Sequence, residues 1–247
     1  ERSHNCMFAG ARLSGAEVKI FRHNDVAHAH MLLRESTSPR KLIMTETVFS
    51  MDGDTAPLLT LHELAEEYGA WFMTDDAHGL GVITESNPAL IQMGTFSKAG
   101  GSYGGYICGP RPLIDLLINR GRGFIFTTGL PPGIVAASLK SLNIIKNEPQ
   151  RQERLRRNVE YFCMELGLTV SPSAIVPLIL GTEERALQAS EQLFEKGFIV
   201  TAIRPPTVAP GTARLRFSFS SEHEFEDVQA LVNAVRPIVS KKKVEAA

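Results

Sequence analysis

The chain has 247 residues, of which 43% are hydrophobic, enough for one large or two modest domains with a real core. Its formal net charge is -1, so it carries no global footprint for nucleic acid or an acidic membrane surface, and no apolar window approaches bilayer length. Cys6, Cys108 and Cys163 are scattered without Cys-x-x-Cys spacing, which signals neither a disulfide framework nor a zinc site, and Glu1 to Asn5 lacks the apolar core of a secretory signal; the chain reads as cytoplasmic.

Phe21 to Asp25 has the composition of a turn, and Val26 to Arg34 has helical spacing. His28 and His30 lie two apart on that helix and face different sides, so they read as solvated or satisfied side chains. Lys41 to Phe49 is rich in β-branched and apolar residues and ends at Ser50-Met-Asp-Gly-Asp54, a buried strand running into a turn. Thr60-Leu-His-Glu63 has capping-box spacing, and Leu61, Leu64, Ala65 and Tyr68 form an apolar helix face ended by Gly69. Ala70 to Thr74 reads as a second buried strand, ending in Asp75-Asp-Ala-His-Gly79. Ala89 to Met93 reads as a third, followed by Gly94-Thr-Phe-Ser97, Lys98 and the glycine-rich Gly100 to Gly105.

Strand, helix, strand with polar strand ends is the βαβ pattern of an α/β fold with a mainly parallel sheet flanked by helices, in which ligands gather beyond the carboxyl ends of the strands. Three strand ends offer polar groups: Ser50, the pair Asp75 and His78, and Thr95 with Lys98. The glycines precede a strand, whereas a dinucleotide fingerprint follows one and opens a helix, which excludes a nucleotide-binding module.

Arg111 to Arg120 reads as a helix, Gly123 to Gly129 as a short apolar segment with hydroxyls at its end, and Pro131-Pro132 as the start of a helix through Ala136, Leu139, Leu142 and Ile145. The charged run Asn147 to Arg157 marks a boundary between a large domain, 1–146, and a smaller α+β C-terminal domain, 147–247. In the latter we expect helices at Gln152 to Leu166 and Glu183 to Lys196. Strands are expected at Ala174 to Leu180, Phe198 to Arg204 and Ala213 to Ser220, with a closing helix capped by Ser221-Glu-His-Glu224. Lys241 to Lys243 reads as a solvated tail.

A lysine at the rim of a packed sheet loses hydration, its pKa falls, and the neutral amine becomes a competent nucleophile and base. Add a carboxylate, an imidazole, several hydroxyls and an arginine such as Arg204, and the set matches what pyridoxal phosphate requires. A carboxylate keeps the pyridine nitrogen protonated, hydroxyls hold the phosphate, and a planar guanidinium grips a substrate carboxylate. Taken singly, Asp75 reads equally as a helix cap, His78 as a satisfied core histidine and Arg204 as a surface arginine; their joint occurrence carries the signal.

The motifs TDDAHGLGV (Thr74 to Val82), GTFSK (Gly94 to Lys98), AIRPPTVAPGTARLR (Ala202 to Arg216) and TETVFSMDGDTAPL (Thr45 to Leu58) resemble those of the α-oxoamine synthases, pyridoxal-phosphate enzymes of fold type I. The resemblance runs over nearly the whole chain. It implies Lys98 as the Schiff-base lysine, Asp75 as partner of the pyridine nitrogen and His78 beside the phenolic oxygen. Ser50 and Thr95 would contact the cofactor, Thr95 at the phosphate, while Thr128 would reach the phosphate of a neighbouring subunit in a homodimer. Arg204 would bind a substrate carboxylate and Thr207 would line the substrate site; residues 1–146 would be the cofactor-binding domain. The IRPPTV stretch favours the biotin-pathway member, which condenses L-alanine with a pimeloyl thioester of coenzyme A or acyl carrier protein. A glycine-using sister acyltransferase and a catalytically silent partner subunit are the alternatives. The family's N-terminal arm, phosphate-binding glycine turn and ring-stacking aromatic or histidine are expected to be missing, and the link from Gly81 to Pro88 is shorter than the family's, so the sequence is expected to be incomplete.

Overall fold

The computed structural model describes the backbone of residues 1–245 and the side chains of residues 1–240. The chain divides into two compact units: Glu1–Phe49 with Thr55–Asn147, and Ser50–Asp54 with Glu148–Ala247.

The first unit is built on a four-stranded sheet, β1 (Leu42–Glu46), β2 (Trp71–Asp75), β3 (Ile91–Thr95) and β4 (Gly105–Cys108), in that spatial order. β1, β2 and β3 are parallel, with Glu46 beside Asp75 and Asp75 beside Met93; β4 runs antiparallel to β3, with Gly94 opposite Tyr106. The helices around it are α1 (Asn5–Leu13), α2 (Val26–Glu35), α3 (Leu58–Glu67), α4 (Arg111–Arg120), α5 (Arg122–Ile125) and α6 (Pro132–Asn147). Leu61, Leu64 and Ala65 of α3 pack with Ile43, Phe49, Phe72 and Ala89, so the face read from the sequence is the one that enters the core. α2 begins where its spacing indicated, with Asp25 Oδ1 accepting from His28 N at 2.8 Å as N-cap. His28 Nδ1 accepts from Arg22 N at 3.0 Å, and His30 Nε2 meets Tyr68 Oη at 2.9 Å, so both rings have partners.

The second unit has an antiparallel sheet ordered β5 (Ile175–Gly181), β7 (Ala213–Ser218), β6 (Thr201–Ile203), with α7 (Pro149–Leu166), α8 (Glu183–Phe194) and α9 (Phe225–Glu245). Phe162, Cys163, Leu178, Leu193, Leu215, Val228, Val232 and Val235 are its core.

Several sequence readings move. Thr60 lies inside α3 and caps nothing, because Pro57 already sets the N-cap position and the helix starts at Leu58. At α9 the side-chain turn is made by Ser220, whose Oγ accepts from Glu222 N at 3.1 Å, and the helix starts at Phe225, beyond the expected Ser221 to Glu224 box. Phe198 to Arg204 contributes only Thr201–Ile203 to the sheet, and Ile199 is exposed. The apolar start of Gly123 to Gly129 forms the single turn α5. The side chains of Lys241 to Lys243, expected as a solvated tail, lie outside the described residues. α4 and α5 bury no residue, and Leu116, Phe124, Phe126 and Leu139 stand exposed on α4 to α6 and the residue following α5.

Candidate active site

The carboxyl ends of β1 and β2 are polar yet buried: Thr45, Glu46, Thr47, Thr74, Asp75 and Asp76 all lie below the surface. Asp75 is 4% exposed; its Oδ1 accepts from Ala77 N at 2.9 Å and its carbonyl from Thr47 N at 3.0 Å. The main chain of Asp75 is thus held in the sheet, and its carboxylate is oriented by a local backbone donor.

His78 follows three residues later, in the turn where Asp76 O accepts from Gly79 N at 3.0 Å and Leu80 N at 2.9 Å. Its Nε2 lies 2.9 Å from Lys98 Nζ, the amine supplied by the loop after the neighbouring strand β3. His78 and Lys98 therefore meet beyond the ends of adjacent strands, β2 ending at Asp75 and β3 at Thr95. Thr95 closes the same loop: its Oγ1 contacts Ser97 Oγ at 2.8 Å, accepts from Ser97 N at 3.1 Å and donates to Gly104 O at 3.2 Å. The glycines are sterically required in part, since a Cβ on Gly100 would sit 2.8 Å from Phe96 O.

The expected desolvation of Lys98 is corrected: its side chain is exposed, beside a half-buried His78. The chain buries the carboxylate of the constellation and leaves Lys98 exposed at the surface. Thr128 is exposed in the segment after α5.

Sequence reasoning missed four residues of the first unit. His4, the N-cap of α1, donates its backbone N–H to Glu46 Oε1, and two residues on, Cys6 Sγ lies 4.0 Å from Asp75 Oδ2. The His4 ring itself turns back on its own helix, its Nδ1 accepting from Cys6 N at 3.3 Å. Burial first, then the charges of Asp75 and Glu46, push the Cys6 thiol pKa up, so it is a protonated neighbour rather than a thiolate. The fourth, Asp76, accepts from Thr47 Oγ1 and from Asn87 Nδ2 at 3.0 and 3.1 Å.

In the second unit, Ser50 is half-buried and its carbonyl accepts from Arg216 Nε at 2.5 Å. Arg214 Nη1 reaches Asp52 Oδ1 at 2.7 Å and Met51 O at 3.2 Å, while Ser171 and Ser173 hydroxyls donate to Gly53 O at 3.2 and 2.7 Å. The Ser50–Asp54 segment is thus fastened to the β5–β7 sheet. Arg204 and Thr207 are exposed in the turn after β6, where Thr207 N donates to Arg204 O at 3.0 Å. Arg216, also missed, is half-buried and has no carboxylate partner among the described residues; burial lowers its guanidinium pKa from the ordinary value. A desolvated guanidinium of this kind is a ready receptor for an anion.

Sheet order, buried strand-end carboxylate and loop lysine together define a fold type I transferase domain with a smaller α+β unit. The chain belongs to the aminotransferase class I and II family, whose model matches residues 2–235. It is 50% identical over 250 residues to the 8-amino-7-oxononanoate synthase of Methylocella silvestris, covering 97% of this chain and 71% of that protein. A serine palmitoyltransferase structure from Sphingomonas wittichii superposes with a TM-score of 0.92 at 29% identity, covering 98% of this chain and 66% of that one. A second serine palmitoyltransferase structure, described with a PLP internal aldimine, gives a TM-score of 0.90 at 29% identity over the same shares, 98% and 66%. The chain spans 62% to 71% of the length of the first curated relatives it matches.

Proposed function

We propose that this chain carries the core of a pyridoxal-phosphate-dependent acyltransferase of the 8-amino-7-oxononanoate synthase type. The reaction joins L-alanine to a pimeloyl thioester of coenzyme A or acyl carrier protein, releasing carbon dioxide and the free thiol. The observation that carries the reading is the Lys98 Nζ to His78 Nε2 contact of 2.9 Å, on the turn that follows buried Asp75.

The residues present fit the cofactor. Asp75 is a buried, backbone-fixed acceptor able to hold a proton on a pyridine nitrogen; Lys98 is an accessible amine able to bond an aldehyde carbon; His78 suits a phenolic oxygen. Ser50, Thr95 and Thr128 supply hydroxyls, with Thr95 and Thr128 assigned to phosphate. The bound cofactor supplies an electron sink for charge developing at the alanine Cα. Lys98 takes the Cα proton and His78 steadies its amine between transfers. Arg204, and on the strength of its desolvation Arg216, grip substrate carboxylates, while Thr207 lines the acyl site.

Residues 1–146 are assigned to cofactor binding. The exposed apolar side chains Leu116, Phe124, Phe126 and Leu139 favour burial against a second copy, consistent with a homodimer in which Thr128 crosses to the neighbouring site. No helix among the described residues is long and apolar enough to cross a membrane; a cytoplasmic location is part of the proposal.

The test is borohydride reduction with added pyridoxal phosphate, followed by peptide mass mapping. A reduced adduct on Lys98 is expected, and an adduct elsewhere or none would overturn the reading. Product assays pairing alanine or glycine with pimeloyl or acetyl thioesters separate the biotin-type reaction from the glycine-using one.

A further inference from the structure

Asp76, next to the residue assigned to the cofactor, is itself 9% exposed and bridges four strands and loops of the first unit. Its backbone N–H donates to Met93 O on β3 at 2.7 Å, and its carbonyl receives Gly79 and Leu80, closing the turn that carries His78. Its carboxylate accepts from Thr47 Oγ1 after β1 and from Asn87 Nδ2, which also donates to Thr74 Oγ1 at 2.7 Å on β2. The Asn87 amide is oriented without ambiguity, because its Oδ1 accepts from Ala89 N at 2.9 Å and its nitrogen must therefore face the acid. Thr47 also packs beneath the turn: a Cβ on Gly79 would lie 2.9 Å from Thr47 Cγ2. Asn87 belongs to the short link between Gly81 and Pro88, so the residue whose carbonyl closes the turn also anchors, through its carboxylate, the link feeding the Lys98 strand.

We propose that Asp76 is a positioning residue: through Asn87 and Thr47 it locks the Asp75–His78 turn so that His78 is presented to Lys98. The cofactor consequence rests on the reading given above; the positional claim does not. Thr47 Oγ1 and Asn87 Nδ2 both reach Asp76 Oδ1, and Asn87 also reaches Oδ2, so the lock is an acid at one position facing an amide at the other, a pairing that exchanging the two preserves.

The experiment compares the chain with Asp76→Ala, Asn87→Ala, Asn87→Asp and the exchange double variant Asp76→Asn/Asn87→Asp. Amide hydrogen exchange at Gly79 and Leu80 and the NMR signals of the His78 ring are read without cofactor. Pyridoxal-phosphate affinity is read separately by absorbance. Asn87→Asp sets two carboxylates face to face and is expected to speed exchange at both amides about 10-fold or more, shift the His78 signals and weaken cofactor binding. The exchange variant restores one acid and one amide and should return all three toward wild type, a rescue that general loosening would not show. Unchanged exchange and His78 signals in Asn87→Asp, or failure of the double variant to restore them, overturns the proposal. If Asp76→Ala does not fold, Asn87→Ala decides by the same readouts. If the cofactor-free readouts respond and rescue while the wild-type chain takes up no pyridoxal phosphate, the positional role stands and the cofactor reading falls.

Discussion

Arg214→Met tests whether the Ser50–Asp54 segment is held by the second unit. The Arg214 side chain is 6% exposed and its Asp52 partner 18%, with 2.7 Å between Nη1 and Oδ1 and a further bond of 3.2 Å to Met51 O. Breaking a fully buried pair by removing one partner costs about 3–5 kcal/mol. Water reaches part of the Asp52 carboxylate, and methionine refills most of the volume, so about 2–3 kcal/mol is the expected loss here. For a unit of roughly 100 residues that corresponds to a fall in Tm of about 10–20 °C. Unfolding of the second unit would be followed by hydrogen exchange along β7, with Trp71 fluorescence as control, because the single tryptophan lies in the first unit. Retained protection of β7 and a Tm loss under about 3 °C would refute the clamp. So would equal destabilisation by Arg214→Met in an Asp52→Leu background, since the pair would then show no coupling.

Gly53→Ala should destabilise the same unit by about 2–4 kcal/mol in chemical denaturation, because Gly53 has φ +73° and its Cβ would meet Ile175 O at 2.1 Å; a loss below about 1 kcal/mol would contradict the packing. Asp75→Asn should lower kcat/KM by about 10²–10⁴-fold with Lys98 adduct formation retained, and near wild-type turnover would remove Asp75 from its assigned role. Burial raises the Asp76 carboxyl pKa above the usual carboxylate value, against opposing hydrogen bonds from Thr47, Asn87 and Thr74. The folded chain then holds that proton more tightly than the unfolded one, so wild type should gain stability relative to Asp76→Asn as pH falls from about 7 toward about 4.5; the opposite trend in urea midpoints would reverse the sign assigned to its burial.

The sequence made the strand ends legible because each rests on local chemistry. The ends read from the sequence fall within two residues of those of β2 and β3, while the run read to Phe49 overshoots the end of β1 at Glu46 by three. The helix faces of α3 and α7 were legible for the same reason. Both capping boxes failed because a four-residue pattern cannot see a competing start signal one step away, Pro57 in one case and Ser220 in the other. Ser50 was placed with its own strand, yet Arg214, Arg216, Ser171 and Ser173, all more than 110 residues later, hold its segment. No local signal encodes such a partner. Asp76 was passed over because it looks like its neighbour; its distinct task is visible only when Thr47 and Asn87 are brought to it by pairing of β1 with β2 and by the turn after Gly81.

Lys98 shows the deeper limit. Its chemistry was inferred from desolvation, but the chain buries Asp75 and leaves Lys98 exposed. The two ends of the constellation are therefore prepared differently. The carboxylate end is buried and oriented by the Ala77 N–H, and its desolvation cost is met on folding, so it is ready before any ligand arrives. The amine end lies at the surface, 2.9 Å from His78, a ring carried on the turn that Asp76 closes. If pyridoxal phosphate binds as proposed, covering the amine falls to the cofactor, its substrate and the partner subunit. Lysine reactivity would then rise on assembly rather than on folding, which makes the spatial order of His78 and Asp76, more than the burial of Lys98, the property the chain itself contributes.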